Sequence, residues 1–288
     1  MTEQNTRRGI MLMILTTLIF ASQDALSRHL ASSYNTMMVV MLRYWFFGAF
    51  VVLVAVRKSG GIRAAAATQQ PLLQAFRGVL LALEVVVMVV AFTRLGIIET
   101  QAVFICYPLL IAALSGPVLG EKVGWRRWSA IGIGFVGVMI ILEPGFGVFT
   151  PAAILPLISA VMFATYSLLN RYVARRDSSA TSFFWTGTMG FVVMTALGIW
   201  SWEPMTPPDW CWMLLLCISG AFGHYLLIRV YELAEASAVQ PFAYFQLGFG
   251  ALIAIPIFGE TIRPNVAFGA ALIIAAGLFT VWRERQKR

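Results

Sequence analysis

Two ionisable residues stand alone in the most apolar parts of this sequence, Glu84 within LLALEVVVMVV and His224 within SGAFGHYLLI. An ionisable group at the centre of a membrane costs roughly 2.5–3.5 kcal/mol on insertion scales, so its presence calls for a reason. For Glu84 the chemistry on offer is a proton site or a contact to a substrate ammonium. The alternative is a carboxyl satisfied by neighbouring helices. His224 is its counterpart: a shift of 139 positions carries Glu84 to Gly223, next to the histidine. Asp24 and Arg43 lie in the outer third of the first two apolar stretches, placed for an ion pair or an outer gate. Arg77 and Arg229 lie towards inner ends, where long side chains can reach the interface with their charged tips.

Aromatic and amide groups complete the candidate cavity. Tyr107, Tyr166, Tyr244 and Gln246 fall near mid-depth, with Tyr225 beside His224. A phenol offers a flat apolar face and a hydroxyl, which suits a small amphipathic solute. Tyr107 and Gln246 occupy the same position under the 139-residue shift, and so do Gln101 and Gln240. The latter two fall near opposite faces, with gate or helix-cap roles open to them. Pro108 and Pro241 free backbone carbonyls that can face a cavity. Pro117 and Pro256, each followed by x-x-Gly-Glu, place a bend near a helix end, and Glu121 and Glu260 are positioned to cap it and brace the next loop. Cys106, Cys211 and Cys217 have neither metal-ligand nor disulfide spacing, and packing is their expected role. There is no G-x-S-x-G, no H-E-x-x-H and no phosphate loop, so neither an enzyme, a metal nor a cofactor is expected.

These residues need apolar spans to hold them. The chain is 59% hydrophobic and 12% charged, against about 25% charged in a soluble domain. Lipid is therefore the expected solvent for most of the surface. Runs of membrane-crossing length fall at 9–30, 35–56, 72–93, 98–119, 125–142, 151–172, 179–201, 210–232, 237–258 and 265–282. The first follows Arg7 and Arg8 as a signal peptide would, but it lacks an A-x-A-type cleavage site and reads as a retained helix. With the N-terminus inside, 15 Lys and Arg fall in inner segments and 3 at outer ends. That asymmetry places both termini in the cytoplasm and accounts for the net charge of +8 without nucleic acid. Trp200, Trp202, Trp210 and Trp212 cluster at one outer corner, while Trp125, Trp128 and Trp282 sit at inner ends, as interfacial belts require.

The stretch ETQAVFICYPLLIAALSGPVLGE, Glu99 to Glu121, returns as VQPFAYFQLGFGALIAIPIFGE, Val239 to Glu260. Each copy is a small-residue-rich, proline-interrupted helix that opens the last hydrophobic segment of its half. Such paired segments point to the binding site of a carrier built from repeats. Five spans per half force the halves to be inverted. The expected fold is an all-α integral membrane protein of ten transmembrane helices. Two inverted five-helix repeats, residues 1–145 and 146–288, form one membrane domain around a central cavity. A monomer suffices, because one chain holds both halves.

Ten spans in two halves, each with P-x-x-G-E near the end of its fourth helix (Pro117–Glu121 and Pro256–Glu260), resemble the drug/metabolite transporter superfamily, EamA-type branch. The resemblance covers essentially the whole chain. It implies secondary transport of a small metabolite by alternating access in a bacterial cytoplasmic membrane, with proton coupling through Glu84 open. Within the branch the chain is similar to exporters of amino acids, including aromatic ones, so an amino acid is the expected substrate. Uptake of a nucleoside or of S-adenosylmethionine is the alternative within transport, and a non-transporting scaffold the alternative outside it. Small multidrug members carry a glutamate in the first helix. Here the acid is Asp24, displaced outwards, and Ser167 stands at its approximate counterpart in the sixth span, by matching Phe20-Ala21 to Phe163-Ala164. That departure speaks against a dimeric multidrug-cation mechanism. Sparse cavity charge and several tyrosines fit a zwitterion better than a strong cation or a polyanionic nucleotide sugar.

Overall fold

A computed structural model describes residues 3–57, 61–120, 124–142, 151–234 and 236–286. All regular structure among them is helical: α1 (Glu3–Ser33), α2 (Thr36–Arg57), α3 (Gly61–Ala66), α4 (Pro71–Leu95), α5 (Ile97–Phe104), α6 (Tyr107–Leu119), α7 (Trp125–Leu142), α8 (Leu155–Val173), α9 (Ser179–Gly198), α10 (Pro207–Leu233), α11 (Ala236–Ala243), α12 (Phe245–Phe258) and α13 (Pro264–Gln286), with two short 3₁₀ turns. Eight segments are long and apolar enough to cross a membrane, and shorter apolar helices cover Trp128–Leu142 and Pro264–Thr280. The alanine run after Arg57, read from sequence as a connection, forms the short α3. Alanine has the highest helix propensity, so a single turn there is physically reasonable. The boundary between the two expected halves and Glu121 lie outside the described residues.

The repeated stretch is broken in both copies. The bonds Cys106 N–H to Val103 O (3.1 Å) and Leu109 N–H to Cys106 O (2.9 Å) replace α-helical pairing between α5 and α6. Pro108 is the local cause: without an N–H it cannot donate to the Phe104 carbonyl four residues back. In the second copy Pro241 lies inside α11 and the chain breaks at Tyr244, three residues later. Both copies then end the same way. Gly120 (φ 75°) closes α6 and Gly259 (φ 65°) closes α12 in the left-handed conformation that glycine adopts without penalty.

Helices pack as α1 on α10 and α12, α4 on α8 and α9, α2 on α9 and α10, α6 on α8, and α7 on α13. Large apolar side chains such as Leu72, Trp200 and Leu252 face outwards, as expected where lipid is the solvent. Without a hydrophobic drive between helices, close backbone approach through small residues supplies the packing. At the α7–α13 crossing, a Cβ on Gly137 would lie 2.7 Å from the Gly269 carbonyl oxygen, and one on Gly269 would lie 2.6 Å from that of Gly137. Backbone cannot yield as a side chain can. Gly137→Leu is expected to separate these helices at a cost of about 1–3 kcal/mol, read as a fall in the thermal unfolding midpoint. An unchanged midpoint would mean that the crossing is not a structural contact.

The turn between α8 and α9 is tied to the segment before α4. The Asp177 carboxylate accepts from the Thr68 hydroxyl, from Gln74 Nε2 (2.9 Å) and from the Gln69 amide (3.2 Å). Burial pushes its carboxyl up, but these donors and the nearby Arg77 outweigh burial and hold it below the ordinary value of 3.8. A depressed native value means stabilisation that is complete above the ordinary value and is lost as pH falls through the native one. Proteolysis of residues 67–70 is therefore expected to rise in strong acid in the native chain and to be independent of pH in that range in Asp177→Asn.

Candidate functional site

A cavity lies between α1, α2, α4, α8, α10 and the two broken helices and is half open to its surroundings; the non-atom space in and before it is about 650 Å³. Its polar wall carries Asp24, Arg43, Glu84, His224 and Gln246, with Gln23 beside Asp24. Its aromatic wall carries Phe92, Phe104, Tyr107 and Phe163. The ring centroids of Phe104, Tyr107 and Phe163 lie 5.0–5.5 Å from one another, within the range favoured by aromatic pairs.

Each polar group has a particular set of partners. Asp24 Oδ2 accepts from Gln101 Nε2 at 2.5 Å and from Gln246 Nε2 at 3.0 Å, so one carboxylate joins both repeat-related broken helices to α1. Glu84 Oε1 accepts from the Ser159 hydroxyl on α8. Arg43 Nη2 lies 3.5 Å from His224 Nε2. The His224 ring stacks on Phe47, with centroids 6.1 Å apart and planes at 7°, and tilts against Phe20.

Several expectations are corrected. Asp24 and Arg43 act on each other through space without ion-pair contact, and both line the same cavity as Glu84 and His224. Gln101 is not a cap: it lies inside α5, fully buried, and its side chain donates to Asp24. The Gln240 side chain is outside the described set. Tyr225 projects outward, 46% exposed, against the edge of Phe183. Adjacent helical residues point about 100° apart, so it cannot share the direction of His224. Tyr244 is buried against Gly277 of α13, where only the missing Cβ makes room for its hydroxyl. Tyr166 lies behind the cavity wall, with its hydroxyl 3.4 Å from Arg77 Nη1. Arg77 does not reach the interface. It is fully buried and donates to Gln74, Asn170 and the Ser182 carbonyl. Arg229 is exposed. Ser159, Gln23, Phe20, Phe104 and Phe163 belong to the site and were missed. The Phe20–Phe163 match used to align the halves also relates Thr16 to Ser159, and all four line or contact this space.

Glu260 acts across the halves. Its Oε1 and Oε2 accept from the Ile97 and Ile98 amides, 2.8 Å each, at the start of α5, and Arg28 pairs with it. It caps a helix of the other half rather than bracing its own loop. Gly96 (φ 87°) is required there, since a Cβ would meet Glu260 Oε1 at 2.9 Å. Glu260→Ala leaves two amides and a guanidinium unserved. The expected loss is about 2–3 kcal/mol, read as a lower unfolding midpoint, with Glu260→Gln intermediate. Equal midpoints for Glu260→Ala and the native chain would exclude the cap.

Membrane-length helices around a cavity lined by both polar and aromatic side chains are the architecture of a membrane transporter for a small solute. The chain belongs to the EamA-like transporter family, whose model matches residues 7–143 and 150–282, within the drug/metabolite transporter superfamily. It is similar to an S-adenosylmethionine uptake transporter of Rickettsia prowazekii, 25% identical over 278 residues, which are 96% of this chain and 94% of that one. It is similar to riboflavin transporters of Vibrio cholerae, 29% identical over 98% of this chain and 95% of that one, and of Rhizobium johnstonii, 30% identical over 85% and 81%. A solved crystal structure shares the fold, with a TM-score of 0.66 and 18% identity over 96% of this chain and 97% of that one. The protein is thus a multi-pass membrane protein of a bacterial transporter family.

Proposed function

We propose that this chain is an uptake carrier of the bacterial inner membrane for a small metabolite with a heteroaromatic ring, of the S-adenosylmethionine or riboflavin kind. The observation that carries the reading is the cavity itself, whose lining combines the aromatic rings of Phe104, Tyr107 and Phe163 with the polar groups of Asp24, Arg43 and Glu84. A ring with a polar extension satisfies both at once. The relatives are named for uptake of S-adenosylmethionine or transport of riboflavin, and this moves the reading from the expected amino-acid export to the alternative of metabolite uptake.

The carrier works by alternating access, with ten crossings in two inverted halves, residues 1–145 and 146–288. Two features support this. The family model matches twice, once in each half. The packing partners also exchange with the halves: α1 on α10 corresponds to α8 on α4, α1 on α12 to α8 on α6, and α2 on α10 to α9 on α4. The shorter apolar helices α7 and α13 supply the fifth crossing of each half. Both termini face the cytoplasm, on the placement of Lys and Arg, and one chain holds a complete site.

The test is uptake of radiolabelled S-adenosylmethionine and riboflavin into liposomes containing the pure protein. Saturable uptake of either, displaced by the unlabelled compound, is the expected result. Exchange of neutral amino acids alone would restore the export reading. No flux of any solute would favour a scaffold.

A further inference from the structure

Arg43 is a guanidinium held where a charge is expensive; the Asp24 and Glu84 carboxylates are near enough to act on it through space, but neither is in ion-pair contact with it. Arg43 is 6% exposed on the cavity wall. Buried guanidinium groups are ordinarily met by a carboxylate in a two-pronged contact. Among the described residues its hydrogen-bond partner is His224 alone, at 3.5 Å. Asp24 and Glu84 line the same space, and neither makes an ion pair with it.

The acids have capacity left over as well. Both amide contacts to Asp24 go to Oδ2, and the Ser159 contact to Glu84 goes to Oε1. Asp24 Oδ1 and Glu84 Oε2 receive no hydrogen bond among the described residues. Gln23 Oε1 is buried without a partner. Gly220 places this oxygen near Arg43: the position its Cβ would take lies 2.9 Å from Arg43 Nε and 3.4 Å from Gln23 Oε1. A guanidinium with a single hydrogen-bond partner and an unpartnered amide oxygen therefore lie close together, in a cavity that Asp24 and Glu84 also line. A ligand that completes both must carry an anion and a hydrogen-bonding cation a few bonds apart.

We infer that the cavity holds its substrate by an α-amino-acid head group, with Arg43 taking the carboxylate and Asp24 Oδ1 and Gln23 Oε1 taking the ammonium. The remainder of the substrate then lies against Phe104, Tyr107 and Phe163. This rests on the uptake reading above and deepens it, because S-adenosylmethionine carries such a head and riboflavin does not. The assignment also accounts for Gly220, since a side chain there would occupy the space of the guanidinium.

Counterflow in proteoliposomes loaded with S-adenosylmethionine tests it. The competitors are S-adenosylmethionine, its decarboxylated form, methylthioadenosine, riboflavin and tryptophan. Decarboxylated S-adenosylmethionine keeps the ring, sulfonium and amine and lacks only the carboxylate. The expected result is that it competes at least about tenfold more weakly than the parent, the loss that goes with one charge-assisted contact. In Arg43→Gln the apparent affinity for the parent falls by at least about the same factor, and the two compounds become equal. Arg43→Lys keeps the charge without the fork and lies between. Equal competition by the two compounds in the native chain overturns the assignment, and this comparison decides alone if Arg43→Gln does not fold. Exchange of riboflavin or methylthioadenosine without head-group preference also overturns it, while leaving the uptake reading in place. Exchange of tryptophan but not S-adenosylmethionine, with the same dependence on Arg43, supports the head group and overturns the substrate class instead. No exchange of any compound overturns both.

Discussion

Arg77→Met is expected to lower the stability of this protein by about 3 kcal/mol or more. Arg77 is fully enclosed two turns before Glu84 on α4. Its Nε and Nη2 donate to Gln74 Oε1 at 3.2 and 2.7 Å, Nη2 also donates to the Ser182 carbonyl at 2.6 Å, and Nη1 donates to Asn170 Oδ1 at 2.5 Å. The guanidinium also lies over the Tyr166 ring, 5.4 Å from its centroid. These acceptors come from α4, α8 and α9, so a single side chain fastens three helices. Methionine fills a similar volume and offers no donor: Gln74 Oε1 loses both its donors and the half-buried Asn170 Oδ1 loses one, while the Ser182 carbonyl keeps the Thr186 hydroxyl; each buried acceptor left without a partner costs about 1–3 kcal/mol. Arg77→Lys keeps a charge but cannot reproduce the planar fork, and is expected to recover part of the loss. Thermal unfolding of the purified variants in one detergent checks the order native, Arg77→Lys, Arg77→Met. A Met variant as stable as the native chain would mean that water serves these acceptors and that the arginine is not a fastener.

That role was invisible in the sequence because it depends on rotation about the helix axis. A lone Arg seven residues into an apolar span has two outcomes, reaching for the interface or being enclosed by partners, and the partners Asn170 and Ser182 lie about a hundred residues away. The same limit separates the tyrosines. Tyr107 faces the cavity, while Tyr166, Tyr225 and Tyr244 do not; in a helix that is apolar on every side, composition gives depth but not direction. The ionisable residues were easier. Asp24, Arg43, Glu84 and His224 are costly in lipid wherever they point outward, so their enclosure follows from energetics that the sequence already contains, while their meeting in one cavity is supplied by the fold. Repeat arithmetic also carried direction where periodicity could not, as expected if the two halves are related by an axis through the site. It brought Tyr107 and Gln246 together. Extended to the Thr16–Ser159 and Phe20–Phe163 pairs, it reaches four further residues at the same space. Contacts between halves, such as Glu260 at the start of α5, have no sequence signal at all: the motif marks a helix end, and only the tertiary arrangement supplies the amides it accepts from.

Glu84→Gln is expected to abolish accumulation against a gradient while leaving exchange at equilibrium close to that of the native chain. The glutamate is 4% exposed, faces the cavity and has Ser159 as its hydrogen-bond partner. In such a place a carboxyl has two states. It is neutral with a bound proton, or it is a carboxylate balanced by a nearby cation, for which Arg43 is the candidate. Alternating access couples the two states to sidedness if the balance between them differs when the cavity opens to one face or the other. The energetic lever is large enough. The cost of a charge at mid-membrane, roughly 2.5–3.5 kcal/mol, corresponds to a factor of roughly 100 in population. An amide cannot take up or release the proton, so this lever disappears in Glu84→Gln. Glutamine nevertheless retains a carbonyl oxygen for Ser159, and the wall keeps its shape and its other polar groups, so counterflow of substrate down no gradient needs nothing that the variant lacks. Uptake driven by an imposed proton gradient should then fall at least about tenfold, while counterflow at symmetric pH changes little. Ser159→Ala separates position from protonation: it removes the partner but not the carboxyl, and should shift the pH dependence of uptake without abolishing accumulation. Gradient-driven uptake that survives in Glu84→Gln with its pH dependence unchanged would remove Glu84 from coupling and leave it as the structural partner of Ser159.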